Sequence, residues 1–149
     1  MTKHDRITTT EERFTTALHH AYRGWRAALD RRMRDLGISQ AGWVAIAYIA
    51  KAEAPLSQSE VAGLVQVEAA TMVSTLDRLE KAGLVERVAS ETDRRVKHLK
   101  ITPAGQAIYK QVRERADGLR ADLFGRLASQ DLEATTVLLE KLQTLIENS

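Results

Sequence analysis

Apolar residues recur at intervals of three and four along most of the chain, which is the spacing of one buried face of an α-helix. This spacing predicts a first helix over residues 14–36, which Gly37 ends. It predicts a second helix that Ser39 caps and that continues to about Glu53, before Pro55. The N-terminal third of the chain is therefore expected to be helical.

The middle of the chain has a different pattern, which predicts two shorter helices and then a β-hairpin. A capping box starts a helix over residues 58 to about 64, and the helical pattern resumes over residues 68–83. Apolar and polar residues then alternate over residues 84–88 and 96–101, with a charged loop at residues 89–95. This order of elements is typical of a helix-turn-helix followed by a β-wing, which we expect to bind DNA.

Two longer helices are predicted in the C-terminal part, with caps at Thr102 and Ser129 and with Pro103 at the first helical position. The three outer helices all carry apolar stripes, although the winged unit between them is small. A twofold-symmetric dimer would bury these stripes and place two DNA-binding units side by side. The alternative is that the outer helices pack back on their own core.

Composition limits the classes of protein that fit this pattern. The 149 residues suit one domain, and 22 Lys and Arg against 20 Asp and Glu give a net charge of only +2. DNA binding must therefore depend on where the charges lie. The absence of cysteine excludes disulfides and thiolate metal sites. No stretch approaches the roughly 18–20 apolar residues that span a membrane, and we expect a soluble, cytoplasmic protein.

The helix predicted over residues 68–83 has the side chains that a major-groove helix needs. Its apolar residues, expected to face the core, are Met72, Val73, Leu76 and Leu79. The residues expected on the solvent face, where they would contact DNA, are Ala69, Ala70, Thr71, Ser74, Thr75 and Arg78. Small side chains permit close approach and hydroxyl groups reach bases or phosphates. Without the adjoining hairpin, an ordinary amphipathic surface helix would explain the pattern as well.

The predicted wing has five basic residues against three acidic ones, a local charge of +2. The basic residues are Arg87, Arg94, Arg95, Lys97 and Lys100, and the acidic residues are Glu86, Glu91 and Asp93. We expect Arg95 to enter the minor groove, Asp93 to orient its guanidinium through a bidentate pair, and Arg94 to contact phosphate. Arg87 and Lys97 are further candidates for DNA contacts, and Ser57 and Lys51 are weaker candidates for phosphate contacts. The alternative is a charged, solvated hairpin turn.

These residues resemble the winged-helix core of the MarR family of regulators. The matching motifs are Leu56-Ser57, Asp77-Arg78-Leu79-Glu80-Lys81, Gly83-Leu84-Val85-Glu86-Arg87, Asp93-Arg94-Arg95 and the stretch from Leu99 to Gly105. With the flanking helices, the resemblance covers about residues 14–147. The segment Trp25-Arg26-Ala27-Ala28-Leu29-Asp30, followed by Ser39 and Trp43, is further similar to the SlyA branch. Gln66, in place of a turn glycine, and Ser74, in place of an arginine, depart from the pattern.

The resemblance implies a homodimeric transcriptional regulator, of the repressor type, that binds a pseudo-palindromic promoter site on double-stranded DNA. It implies a mainly α fold with a small β-wing. A single domain over residues 1–149 would contain a winged helix-turn-helix core at 39–101 and dimerisation helices at 14–36 and 103–147. No cofactor or metal is expected.

Many members of this family release DNA when a small aromatic ligand binds between the dimerisation helices and the core. Arg23 and Arg26, one helical turn apart, would face the start of the helix that contains Trp43, with Tyr22, His19 and Ala47 around the same space. Two guanidinium groups beside an indole suit an aromatic carboxylate. In SlyA-like proteins such residues are associated with salicylate. The alternative is a core tryptophan beside two solvated arginines.

An enzyme is not expected from this sequence. The four histidines are His4, His19, His20 and His98. His4 falls in a tail that we expect to be disordered, and His19 and His20 are adjacent on a helix, so that their side chains diverge. No phosphate-binding glycine loop is present. A winged-helix module that binds another protein, without specific DNA binding, is the alternative function.

Overall fold

A computed structural model describes residues 8–149, so the tail that holds His4 lies outside the described residues. In chain order the elements are α1 Thr10–Met33, α2 Gln40–Lys51, β1 Leu56–Ser57, α3 Gln58–Val65, α4 Ala69–Lys81, β2 Val85–Ala89, β3 Lys97–Ile101, α5 Pro103–Phe124 and α6 Ser129–Glu147. A 3₁₀ turn, Arg34–Leu36, follows α1. The mainly helical fold with a small sheet is confirmed.

The ends of the helices follow from local chemistry. The Thr102 hydroxyl accepts a hydrogen bond from the Gly105 N–H at 3.0 Å and donates one to the Gly83 carbonyl at 2.7 Å, which joins the start of α5 to the end of α4. The predicted cap at Ser129 is wrong, because Ser129 is the first residue of α6 and Ala128 precedes it at the cap position. Ser129 has a hydroxyl of the capping type, but it lies one residue too late.

Three turns in the described part of the chain use the left-handed backbone region, at Gly37, Gln66 and Gly83. Gly37 has φ 69° after the first helical segment, as predicted. Gln66 ends α3 with φ 61° and ψ 47°, a conformation that costs a residue with a Cβ atom more than it costs glycine. The turn between α3 and α4 is therefore present although the usual glycine is missing.

The sheet has the strand order β1-β3-β2, and both pairs are antiparallel. The predicted hairpin is the β2-β3 pair, in which Arg87 lies opposite Leu99. The strand β1, which places Leu56 opposite Leu99, was not predicted, because two residues are too few to show alternation. Its pairing joins the wing to the start of α3.

The core lies where α2, α3 and α4 meet the sheet and the inner faces of α1 and α5. Its largest fully buried side chains are Met33, Ile46, Val61, Met72, Leu76, Val85 and Leu99. Leu29 of α1 and Val112 and Leu119 of α5 are also buried, so these two outer helices pack partly on their own chain.

The last helix differs from the other two outer helices. Within the described residues, α6 contains no buried side chain. Its exposed large apolar residues are Leu132, Val137, Leu138, Leu145 and Ile146. Packing back on the same chain therefore explains the stripes of α1 and α5 in part, whereas in α6 it only half-buries Leu139 and Leu142.

Candidate nucleic-acid interface and adjoining cleft

The N-terminal half of α4 presents small and polar side chains to solvent. The exposed residues on this helix include Ala69, Ala70, Thr71, Ser74 and Arg78. Met72, Leu76 and Leu79 are buried on the opposite face and fix the helix on the core. The exposed face can approach the edges of bases closely, since the first turn contains two alanines and a threonine.

Two residues of α4 lie on faces that the sequence assigned wrongly. Thr75 is buried, with 7% of its surface exposed, and its hydroxyl donates to the Thr71 carbonyl at 2.8 Å. Val73 is 39% exposed. Position 75 lies on the same stripe as Met72 and Leu79, whereas position 73 is rotated away from it. Polarity alone predicts the reverse placement of Val73 and Thr75, but the helical angle decides which face each residue occupies.

Hydrogen bonds between neighbouring residues fix the loop of the wing. The Ser90 hydroxyl is buried and accepts the backbone N–H groups of Thr92 and Asp93 at 3.3 and 3.4 Å. One carboxylate oxygen of Asp93 accepts the backbone N–H of Arg95 at 3.0 Å. The role of Ser90 was missed, although a serine two residues before a threonine and three before an aspartate is a signal for such a turn.

The expected pair between Asp93 and the Arg95 guanidinium is wrong. Asp93 holds the backbone of the loop, since a short side chain reaches the N–H two residues on more readily than a distant side chain. Arg94, Arg95 and Lys97 are exposed, and within residues 8–149 their side chains make no ion pair. Asp93 therefore positions Arg95 through the main chain.

Arg87, a candidate for DNA contact, lies against two acidic side chains of α4. Its side chain is only 16% exposed, and its Nη1 lies 2.8 Å from Asp77 Oδ1 and 3.3 Å from Glu80 Oε1. The two carboxylates come from α4, so their charges compensate the guanidinium before DNA is present.

Ser57, a candidate phosphate contact, is buried at the start of α3. Its hydroxyl accepts the Glu60 N–H at 3.1 Å, and the Glu60 carboxylate accepts the Ser57 N–H at 3.1 Å. The hydrogen bond from the Ser57 backbone, followed by the one from its side chain, lowers the pKa of Glu60. The capping box is confirmed, and it engages the Ser57 hydroxyl, the group that would contact phosphate.

A cleft of about 650 Å³ lies between α1, α2 and α5. It brings together four of the five predicted ligand residues, namely Tyr22, Arg26, Trp43 and Ala47. Arg23 and His19 are not among its described lining residues. The stripe of α1 that faces the cleft is Tyr22, Trp25, Arg26 and Leu29, and Arg23 falls beside this stripe. The expected pair of arginines is therefore reduced to Arg26.

The third wall of the cleft comes from α5, which the sequence did not predict. Its contributions are Tyr109, Val112, Arg113, Ala116, Asp117 and Arg120. Several of them are three or four residues apart. This signal was available, but nothing in the sequence assigns the stripe to α1 and α2, which end at Met33 and Lys51, well before α5. Asp117 pairs with Arg120 at 2.7 Å, whereas Arg26 and Lys51 lie near the rings of Tyr22 and Tyr48.

Trp43 lines the cleft and has an unsatisfied polar atom. Only 5% of its surface is exposed, and its indole nitrogen Nε1 is buried without a hydrogen-bond partner among the described residues. A buried donor without an acceptor costs about 1–3 kcal/mol. An acceptor atom brought into the cleft by a ligand would remove this cost if it reached the N–H.

Two other features are absent from the described part of the chain. Residues 8–149 contain no group of three or more His, Asp or Glu side chains that could hold a metal ion. In the same range, no helix is both long enough and apolar enough to cross a membrane.

Comparisons with known proteins agree with this arrangement. The sequence model of the MarR family matches residues 36–96. The structure of the transcriptional regulator PA3341 is 34% identical, with a TM-score of 0.83, over 91% of this chain and 99% of that chain. A MarR family transcriptional regulator from Silicibacter pomeroyi is 26% identical, with a TM-score of 0.77, over 91% of each chain. BpsR of Bordetella bronchiseptica, whose DNA binding is regulated by 6-hydroxynicotinic acid, shares the fold at 22% identity, with a TM-score of 0.75, over 91% of this chain and 96% of that chain.

Proposed function

Because this chain belongs to the MarR family of transcriptional regulators, whose members are not enzymes, we propose that it binds a specific promoter site on double-stranded DNA. The observation that carries the proposal is the exposed N-terminal half of α4 beside an arginine-tipped wing that is fixed by its own hydrogen bonds. Such a pair of elements fits one major groove and the adjacent minor groove.

Each exposed residue has a role in this complex. Ala69 and Ala70 contact thymine methyl groups, and Thr71 and Ser74 hydrogen-bond to bases or phosphates. Arg78, two turns further on, reaches a guanine or a phosphate. Of the wing residues, Arg95 enters the minor groove, where the negative potential is strongest, and Arg94 and Lys97 contact the backbone. Thr75, Arg87 and Ser57 lie behind this surface and hold its helices and wing in place.

A homodimer is the form in which we propose that the protein acts. The exposed apolar residues of α6 support it, because a second copy would remove them from water. The twofold symmetry would place two α4 helices on successive major grooves of one face of the duplex. The matching operator is pseudo-palindromic, with half-sites about one helical turn apart.

We also propose a place within the family and in the cell. Trp25, Arg26 and Trp43 support membership of the SlyA-like branch. Ser74 stands where SlyA-like proteins carry arginine, so we expect an operator sequence that differs from theirs. A cytoplasmic location follows from the proposed target, because the DNA of bacteria and archaea lies there.

The cleft between α1, α2 and α5 is the proposed effector site. Arg26 offers a guanidinium to a carboxylate, the rings of Tyr22 and Trp43 offer surfaces for stacking, and the Trp43 N–H offers a donor. Small aromatic carboxylates such as salicylate fit this chemistry. The regulation of BpsR by an aromatic acid supports the same class of ligand.

The test of DNA binding is fluorescence anisotropy with a duplex taken from upstream of the gene that encodes this chain. We expect binding that survives a heparin competitor and an affinity that falls with salt by a slope of about −0.9 per phosphate contact. A protein-binding module would show no such slope and no preference among duplexes. Equal binding to this duplex and to a scrambled one of the same composition would reject the proposal.

A further inference from the structure

Arg87 lies where β2, α3 and α4 meet, and its guanidinium donates hydrogen bonds to Gln58, Val73 and Glu80 and forms an ion pair with Asp77. Its Nε donates to Gln58 Oε1 at 3.1 Å, and its Nη2 donates to the Val73 carbonyl at 3.3 Å. Its Nη1 lies 2.8 Å from Asp77 Oδ1 and 3.3 Å from Glu80 Oε1. Four acceptors from two helices therefore hold one side chain of the wing.

The main chain adds a further link. The backbone N–H of Arg87 donates to Glu80 Oε2 at 3.1 Å, so that Glu80 holds both the strand and the guanidinium. We call Arg87 with Gln58, Val73, Asp77 and Glu80 the Arg87 cluster. It connects the first strand of the wing with the middle and the end of the helix that is proposed to enter the major groove.

We propose that Arg87 is a positioning residue, which sets the orientation of the wing relative to α4 without touching DNA itself. This inference rests on the proposed function, because it concerns how two parts of that interface act together. A wing that is free to rotate about the end of α4 would still carry Arg95, but it would have to lose that freedom on binding.

The planar fork of arginine explains why this residue type suits the position. Its five N–H groups point in fixed directions, and its three nitrogen atoms each lie within 3.3 Å of at least one acceptor. A lysine would keep the positive charge but would concentrate its donors on one atom. The cluster is therefore expected to need the shape of the guanidinium as well as its charge.

Electrostatics give the cluster a second consequence. Asp77 and Glu80 are partly exposed, with 61% and 44% of their side chains accessible, and each lies against the Arg87 guanidinium. Without Arg87, two uncompensated carboxylates would remain on a helix that approaches a polyanion. Loss of the guanidinium therefore weakens DNA binding in two ways: the wing loses its orientation, and the two carboxylates repel the phosphates. A test must separate these two effects.

The variants follow from this need. Arg87→Met removes the donors and the charge, and Arg87→Lys keeps the charge only. The double variant Asp77→Asn, Glu80→Gln weakens the cluster while it leaves the guanidinium in place and adds net positive charge. Arg34→Met is the matched control, because Arg34 is exposed and its side chain has no partner among the described residues.

The experiment selects binding sites from a random duplex library with the full-length protein and each variant. It then measures the affinity of each for the site that the wild type selects and for a copy with altered minor-groove flanks. We expect Arg87→Met and the double variant to lose most of the discrimination between the two duplexes, about tenfold, with Arg87→Lys in between. Arg34→Met should match the wild type.

Salt dependence separates positioning from direct contact. A positioning residue leaves the slope of log affinity against log salt unchanged in Arg87→Met, whereas loss of a phosphate contact reduces it by about one. If the slope falls and the double variant binds more tightly, Arg87 contacts DNA and the inference is wrong. Unchanged discrimination in Arg87→Met, at a native unfolding midpoint, also overturns it.

Two further outcomes are distinguishable. If Arg87→Met does not fold, the double variant and Arg87→Lys give the same discrimination measurement, and unchanged discrimination in both rejects positioning. If the wild type enriches no site at all, the proposed function fails and the inference fails with it. Failure of the inference alone leaves the wild-type site and its salt slope intact.

Discussion

Asp93 and Arg95 have different tasks in the wing, although both are charged and only one residue separates them. Asp93 accepts the backbone N–H of Arg95, so its carboxylate fixes the loop. Arg95 remains exposed and is available to DNA. The sequence shows the motif but not which atoms of Arg95 the Asp93 carboxylate binds. A contact with the Arg95 guanidinium and a turn closed by the Arg95 backbone N–H both need an aspartate two residues earlier.

Replacement of Arg95 is the sharpest test of the minor-groove contact. Arg95→Ala should weaken operator binding by about 1–3 kcal/mol and relax the base preference beside the major-groove contact. Arg94→Ala should weaken binding to all duplexes alike and reduce the salt slope by about one. Anisotropy titrations with operator and flank-altered duplexes measure both effects. Equal losses on both duplexes for Arg95→Ala would contradict its role in the minor groove.

The contact between Asp35 and Arg115 predicts that the free energy of unfolding depends on pH. The Asp35 carboxylate accepts a hydrogen bond from Arg115 of α5, which lowers its pKa below the ordinary value of 3.8. A lowered pKa stabilises the fold above the ordinary value, and this stability is lost as the pH falls through the folded-state pKa. Asp35→Asn should therefore unfold at lower urea concentration than the wild type at pH 7, with a gap that closes below about pH 4.

The control for this measurement is Asp30→Asn, since the Asp30 carboxylate makes no ion pair within the described residues. Its stability difference from the wild type should not close in the same pH window. A constant gap for Asp35→Asn across the acid range would show that the pair with Arg115 does not contribute through charge.

At the scale of whole elements, hydrophobic spacing predicted all six α-helices of the described residues, because each carries an apolar stripe at intervals of three and four residues. Hydrophobic spacing missed β1, because a strand of two residues is too short to show alternation. It also placed Val73 and Thr75 of α4 on the wrong faces, because the apolar residue of this pair is exposed and the polar one is buried. The cleft was found only in part, since its third wall belongs to α5 and no local pattern joins α5 to α1.

Two glycines give opposite predictions for helix stability. A Cβ atom added at Gly63 in α3 meets nothing within 4 Å, whereas one at Gly105 in α5 would lie 2.1 Å from the Leu84 carbonyl oxygen. Gly63→Ala should stabilise the fold by about 0.5–1 kcal/mol, because alanine loses less backbone entropy in a helix. Gly105→Ala should destabilise it by more than this, because α5 must move away from the end of α4.

Urea unfolding followed by circular dichroism measures both changes. If Gly105→Ala is as stable as the wild type, the close approach of α5 to Leu84 is not a constraint on the fold. A loss of stability in Gly63→Ala would mean that the outer face of α3 is covered in solution.

For the molecule as a whole, the main question is what covers α6. Leu145 and Ile146 are 61% and 62% exposed, and together with the other exposed apolar residues of α6 they form an apolar surface that a partner would cover. Leu145→Glu with Ile146→Glu should convert the proposed dimer to a monomer, because two charges would enter its apolar interface. Analytical ultracentrifugation measures the mass, and Gln130→Glu at the exposed start of α6 is the control.

The DNA complex should respond to the same change. A dimer protects two half-sites in footprinting, while the Leu145→Glu, Ile146→Glu monomer should lose most of its affinity for the full operator. If the wild type sediments as a monomer and protects a single half-site, the dimer proposal is wrong and the apolar face of α6 has another partner.

The cleft and the DNA-binding surface are coupled only if a ligand prefers one conformation of the whole molecule. Arg26 and Arg23 provide a matched pair for this test, because they are neighbouring arginines of α1 and only Arg26 lines the cleft. Millimolar salicylate should release operator DNA from the wild type and from Arg23→Ala, but not from Arg26→Ala. Trp43→Phe keeps an aromatic ring, although a smaller one, and removes the unsatisfied N–H, so it should raise the salicylate concentration needed for release. Equal sensitivity of the two arginine variants, measured by gel shift, would exclude the cleft as the effector site.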